Sequence, residues 1–286
     1  MSKIQAISLR SLWLGEKLRA ARERSGYTMR EAAEYLQTDH TTLGRFERGT
    51  HKIRRAYVKD LIDFYSITSK RERAMLIQLA EDAWRKDWWD GDSTGLDMGF
   101  IDYTWIEGRA TNIRVFEPLM IHGLLQTTQY AEALRGVGYG EALSAKRTRR
   151  IAEIRAARQQ ILDRETPTRL TVILEEPALR RTVGGHKVHK HQLQHLIDQG
   201  MRGHIEILVL TNAPDWDPGH HGPFTHFDMP DPYPAIAYIE NLAGRTFLED
   251  DDKVQTLRQT YDELTRIALN PTGSLKFIES VMKELE

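Results

Sequence analysis

The 286 residues include no cysteine. That excludes disulfides, thiolate metal sites and a cysteine nucleophile, and it fits a cytosolic protein. Nowhere does an apolar run approach the roughly 20 residues that a membrane-spanning helix needs. The opening MSKIQAISLRSLW has no long apolar core either, so no signal peptide is expected and the chain reads as soluble and cytoplasmic. There is no phosphate-cradling glycine loop and no G-x-S-x-G elbow. The acids Glu175, Glu176, Glu240 and Glu249 are not brought together by any spacing rule. Four histidines, His186, His189, His191 and His195, lie in HKVHKHQLQH. His191 and His195 share a helical face, but H-Q-L-Q-H lacks the glutamate of the zinc-protease pattern, so a solvated polar face is expected. His220 and His221, in DPGHHGPF, read as part of a surface loop. No catalytic residue, metal site or cofactor is assigned, and the chain is not expected to be an enzyme.

What is present is a division of charge. A net charge of −1 conceals 16 Lys/Arg against 9 Asp/Glu in residues 1–73, and 24 against 32 in residues 74–286. The length suggests two domains. A small basic part joined to an acidic one suggests that the first meets a polyanion and the second does not.

The most informative stretch of the basic part is Thr28–Gly49, TMREAAEYLQTDHTTLGRFERG. Thr28 followed by Glu31 is a capping box: hydroxyl and carboxylate satisfy two orphan N–H groups at a helix start. Ala32, Ala33 and Leu36 fall on one face of that helix, with small residues where another helix can approach. Gln37-Thr38 breaks the run, and Asp39 caps the next helix. There Leu43 and Phe46 are expected to point inward, leaving His40, Thr41, Gly44, Arg45 and Arg48 outward, and Gly49 stops it. A helix docked by its neighbour and displaying His, Thr and Arg near its start suits the major groove of DNA. Behind it, THKIRR (Thr50–Arg55) is a basic loop whose Lys52, Arg54 and Arg55 could reach phosphates.

These residues resemble the helix-turn-helix of the Xre/Cro-repressor family, down to the closing Phe-Glu-Arg-Gly. LGEKLRAARERSG (Leu14–Gly26) resembles that family's first helix, and Tyr57–Ile67 its fourth. The resemblance implies that Thr28–Leu36 supports and His40–Arg48 recognises, with base reading by His40, Thr41 and Arg45. Thr28, Arg48, Lys52, Arg54 and Arg55 are assigned to the DNA backbone. Two residues depart from the pattern: Asp39 stands where a hydroxyl usually touches phosphate, and Gly44 costs about 1 kcal/mol relative to alanine inside a helix.

In chain order, Leu14, Leu18 and Ala21 form the apolar face of a first helix ended by Ser25-Gly26. Val58–Phe64 is a further helix, packing Val58, Leu61, Ile62 and Tyr65. Ser69 caps another through Trp84, with Ala74, Ile77 and Ala80 as its expected apolar side. Gly91–Gly99 reads as a linking loop, with Trp88 and Trp89 as buried anchors at the join. Beyond it come a helix near Thr104, an extended piece around Ile113–Phe116, and a helix from about Thr127 to Leu134. Ser144–Arg164 reads as a helix with a basic outer face, Ile151, Ile154, Ile161 and Leu162 being its apolar positions. Leu170–Leu174 and Ile205–Leu210 read as strands around a helix at Lys187–Gln199, and should be parallel if that helix is their crossover. Phe224–Phe227, Ile236–Ile239 and Arg245–Leu248 are shorter strands, the last pair a hairpin turned at Ala243-Gly244. Asp250–Ala268 and Ser274–Leu285 close the chain as helices. The expected class is α+β overall: an all-α N-terminal helix-turn-helix bundle (residues 1–68), a helix and linker (69–99), and an α+β regulatory or interaction domain (100–286) with about five strands flanked by helices.

The second half carries a further resemblance. EPLMIHGLLQTTQYAEAL (Glu117–Leu134), EEPALRRTVGG (Glu175–Gly185), GPFTHFDMPDP (Gly222–Pro232) and YIENLAGRTFLED (Tyr238–Asp250) resemble the C-terminal domain of actinobacterial Xre-type regulators, the WhiJ-like proteins. His122 replaces the proline usual before Gly-Leu-Leu-Gln-Thr, which should alter only the local turn. The resemblance implies control of development or secondary metabolism, often with a small partner protein that engages the C-terminal domain. The leading expectation is a sequence-specific transcriptional regulator of double-stranded DNA, acting as a homodimer. The alternative is a DNA-binding interaction module paired with a small partner protein in an antitoxin-like system. A third reading is small-molecule sensing through Trp105, Trp216, Phe224, Phe227 and Tyr233. A metal-dependent enzyme ranks last.

Overall fold

The computed structural model describes residues 8–85, 98–138, 153–211 and 218–285. Residues 91–97 of the expected loop Gly91–Gly99, the Trp88-Trp89 pair, Trp216 and the first part of the 144–164 helix lie outside them, and the last two residues of that loop, Met98 and Gly99, instead open a helix. The chain forms two compact units, one of Met1–Ile106 with Pro230–Tyr233, the other of Glu107–Met229 with Pro234–Glu286.

The first unit is helical: α1 (Leu9–Arg24), α2 (Met29–Tyr35), α3 (His40–Glu47), α4 (Arg55–Phe64), α5 (Lys70–Trp84) and α6 (Met98–Glu107). The caps read in the sequence are present. Thr28 and Glu31 form the capping box of α2, Asp39 accepts from the Thr42 amide at the start of α3, and Ser69 caps α5. Helix α1 begins earlier than its Leu14 periodicity indicates, because Ser8 caps it. Leu14, Leu18, Ala21, Leu43, Phe46, Val58, Leu61, Ile62 and Tyr65 are buried as their spacing predicts. Helix α5 is rotated from expectation: Leu76, Leu79, Ala80 and Ala83 are buried, whereas Ala74 is exposed and Ile77 half-buried. Two apolar stripes were available on this helix, and the larger leucine side chains lie on the one that packs.

The base of this unit is polar and buried. Tyr233 donates its hydroxyl to the Asp82 carboxylate, and Arg10 Nη1 donates to the Asp82 carbonyl at 3.0 Å. The Trp105 ring stands edge-on to Tyr233 at 5.6 Å and to Trp13 at 6.2 Å. Thus the loop over residues 230–233 is built into the helical unit, although the strands on either side of it belong to the sheet of the second.

That sheet has six strands, the expected five plus the extended piece near residue 113. They are β1 (Asn112–Glu117), β2 (Arg169–Glu175), β3 (Ile205–Leu210), β4 (Phe224–Asp228), β5 (Ile236–Asn241) and β6 (Gly244–Leu248), in the order β3-β2-β1-β4-β5-β6. The first three are mutually parallel and the rest antiparallel. The helices here are α7 (Thr128–Gly138), α8 (153–159), α9 (Glu176–Arg180), α10 (Gly185–Gly200), α11 (Asp251–Ile267) and α12 (Pro271–Lys283). The β2–β3 crossover runs through α9 and α10, which is why those strands are parallel. One sheet face packs Phe116, Ile173, Leu208, Leu210 and Phe224 against Tyr261 and Leu264 of α11. Helix α12 lies against α10 and β3. The expectation of an α+β domain with a helix-flanked sheet holds.

Candidate nucleic-acid interface

Helix α3 is placed by three devices. The first is close approach. A Cβ at Gly15 of α1 would come within 2.5 Å of the carbonyl oxygens of both Phe46 and Glu47. A Cβ at Gly49, whose φ is +66°, would fall 2.7 Å from Leu12 Cα. Only glycine lets the backbones of α1 and the end of α3 touch. The second is charge: Arg22 of α1 holds Glu47 of α3 with two hydrogen bonds, Nε–Oε1 at 2.7 Å and Nη2–Oε2 at 3.0 Å. The third is the turn before it, where Gln37 takes a left-handed φ of 54° and the Thr38 amide donates to the Ala33 carbonyl at 2.9 Å. This closes α2 and aims the chain at Asp39.

With α3 so docked, His40, Thr41, Arg45 and Arg48 are all exposed, while Leu43, Phe46 and Glu47 are buried. Gly44 departs from expectation, being buried rather than outward. It has no side chain of its own, and the Arg48 guanidinium lies across it, 3.1 Å from where a Cβ would stand. The Asp39 carboxylate accepts from the Thr42 hydroxyl at 2.7 Å and the Thr42 amide at 2.9 Å. Those bonds hold its pKa down at about 2. The acid therefore serves as the helix cap. Thr28 is exposed, with its hydroxyl engaged by Glu31 at 2.7 Å.

The basic loop follows directly. The Arg45 carbonyl accepts from the amides of Thr50 and His51 and from the Thr50 hydroxyl, so the chain leaves α3 on a fixed course. Lys52, Arg54 and Arg55 are exposed. Arg55 Nε pairs with Glu81 Oε1 at 2.9 Å, and Lys52 Nζ lies 5.8 Å from the ring centre of Trp84. Arg54 precedes α4, whose first turn has no side-chain cap and no acid. Apart from Thr28, which caps α2, and Arg55, which opens α4, the base-reading and backbone candidates follow one another on α3 and the loop that leaves it.

Sequence reasoning missed Gly15, Arg22, Glu47 and Trp84. For the ion pair a signal existed. Arg22 stands four residues after Leu18, and Glu47 four after Leu43, so each puts a charge on an apolar stripe.

Among the described residues no group of three or more His, Asp or Glu could hold a metal ion. His189 is buried with Nε2 2.6 Å from the Leu179 carbonyl, whereas His191 is exposed. The His220 and His221 rings lie 3.7 Å apart, centre to centre, and are tilted by 44°. Of the aromatics considered as ligand contacts, Trp105, Phe224, Phe227 and Tyr233 are buried core residues. His122 caps a short turn, its Nδ1 accepting from the Leu124 amide at 3.4 Å, and burial pushes its pKa down to about 3. The acids that interact are Glu117 and Glu240: burial, then the Glu240 charge, pushes the Glu117 carboxyl up to about 8. Among the described residues no helix is long and apolar enough to cross a membrane.

A family model described as a helix-turn-helix domain matches residues 13–76, and one described as a domain of unknown function (DUF5753) matches residues 100–280. No curated protein and no solved structure matches the chain.

Proposed function

Because the chain belongs to the DUF5753 family and carries a helix-turn-helix domain ahead of that region, we propose that it is a sequence-specific transcriptional regulator. The observation that carries the reading is the docking of α3, whose inward face is fixed by Gly15, Gly49 and the Arg22–Glu47 pair while His40, Thr41 and Arg45 remain exposed. In this reading residues 1–68 bind double-stranded DNA and 69–99 connect them to the regulatory part, 100–286. Helix α3 enters the major groove, Arg45 bonds a guanine edge, and His40 and Thr41 read beside it. Lys52, Arg54 and the uncapped first turn of α4 hold the backbone, with Thr28 and Arg48 flanking. Arg55 contributes least, because Glu81 already neutralises it.

A single unit of this size covers few base pairs, so the regulator acts as a homodimer on half-sites about one helical turn apart. The α+β domain receives the signal. A partner protein suits it better than a small ligand, since the aromatic candidates are core residues while Leu119 and Met120 are 52% and 45% exposed beside the end of β1. This accommodates the resemblance to WhiJ-like regulators and to pairs of regulator and small partner.

The test is selection of bound sequences from a random DNA pool, followed by Arg45→Ala. Loss of about 1–3 kcal/mol confined to one base position is expected. An Arg45→Ala protein that keeps full affinity and the same preferred sequence overturns the assignment.

A further inference from the structure

Trp84 ends α5 with its side chain half in solvent, 51% exposed. Two things hold it against the basic loop. Its indole Nε1–H donates to the Ile53 carbonyl at 2.7 Å, and its ring face lies 5.8 Å from the Lys52 ammonium. One turn earlier on the same helix, Glu81 binds Arg55 at 2.9 Å. Ile53 is itself buried, at 2%. The loop is therefore anchored at its centre by a plug, and on its outer side by α5.

We infer that Trp84 is a positioning residue for DNA binding, presetting the loop over residues 50–54 so that Lys52 meets a phosphate without first being ordered. The inference rests on the DNA-binding reading above and adds to it a residue outside both the helix-turn-helix and the basic loop. The physical argument is entropic. A lysine on a free loop loses loop and rotamer freedom when it binds a phosphate. Here the loop backbone is already tied by the indole, and the ammonium is confined over the ring by cation–π attraction. The ring is not required to touch DNA, and the base-reading side of α3 is untouched by it. Trp84 should therefore affect affinity and its salt dependence while leaving the preferred sequence alone.

The experiment measures DNA affinity of the full chain across a series of salt concentrations, for the unaltered protein, Trp84→Phe, Trp84→Ala, Lys52→Ala and the double variant Trp84→Ala/Lys52→Ala. Trp84→Phe keeps a ring face for Lys52 but has no N–H for Ile53, and it covers the case in which the alanine variant does not fold. Binding should weaken roughly two- to fivefold in either Trp84 variant, and the slope of log affinity against log salt should flatten by about one ion. The preferred sequence should be unchanged. The double variant should lose no more than Lys52→Ala alone, because both act on one contact. Unchanged affinity and slope in the Trp84 variants would overturn the inference. So would additive losses, which would mean that the indole touches DNA itself, or a shift in preferred sequence. An unaltered protein without salt-dependent DNA binding removes the functional reading itself, an outcome distinct from all of these.

Discussion

The Arg22 guanidinium meets the Glu47 carboxylate side-on, Nε to Oε1 at 2.7 Å and Nη2 to Oε2 at 3.0 Å. Both side chains are almost wholly removed from solvent, at 9% and 2%. In that setting each charge depends on the other. Glu47→Ala should cost about 3–5 kcal/mol, because it leaves the buried guanidinium only the exposed Glu23 carboxylate, 3.5 Å from Nη2, as counter-charge. Replacing both by apolar residues of similar volume, Arg22→Met with Glu47→Leu, should recover much of the loss. Urea denaturation checks this. A loss below 1 kcal/mol for Glu47→Ala would contradict the pair's role.

Gly15 gives a second prediction, from contact rather than charge. Its Cβ would stand 2.5 Å from two carbonyl oxygens, and these are backbone atoms that cannot swing aside. Gly15→Ala must push α1 from α3, at a cost of about 1–3 kcal/mol. DNA affinity should fall more than stability does, since the displaced element is the recognition helix. Gly26→Ala is the control: nothing stands within 4 Å of its Cβ, though its φ of +76° imposes backbone strain. Gly26→Ala should lower stability with little effect on the DNA affinity of the folded protein. Equal affinity losses in the two variants would argue against the close approach.

Asp39 supplies a pH dependence. The Thr42 hydroxyl and then the Thr42 amide depress its pKa from 3.8 to about 2. A depressed acid stabilises the fold above its unfolded pKa, so the contribution is complete above about pH 4 and is lost as pH falls through about 2. The carboxyl resonance of Asp39, followed by NMR, should titrate near pH 2. Asp39→Asn should retain a cap and remove this component of acid sensitivity. A midpoint near 4 would show that the cap bonds are not maintained.

Tyr233 tests whether the β4–β5 connection belongs to the helical unit. Its hydroxyl donates to Asp82, which is buried together with Arg10 and Trp105. Tyr233→Phe leaves the ring contact with Trp105 but withdraws a donor from a buried carboxylate, a loss of about 1–3 kcal/mol. Tyr238→Phe, which removes a hydroxyl from the more exposed Glu240, should cost less. The opposite ranking in thermal or urea unfolding would refute the assignment.

The sequence by itself determined the local elements. Capping at Thr28, Asp39 and Ser69 was legible because a cap is satisfied within one helical turn. The inward positions Leu43, Phe46, Val58 and Leu61 were legible because helical period fixes which residues share a face. Parallel pairing of β2 with β3 followed from the helix between them, and the outward placing of His40, Thr41 and Arg45 from the same periodicity. Tertiary structure decided whatever depends on a partner distant in the chain. It chose the Leu76–Leu79 stripe of α5 over Ala74–Ile77, buried Gly44 under Arg48, set Trp84 beneath the basic loop and enclosed Tyr233 with Asp82 in the helical unit. Gly15 against Phe46 shows the reason most directly: period and propensity act over a few residues, whereas close approach and buried charge are properties of two segments that only folding brings together.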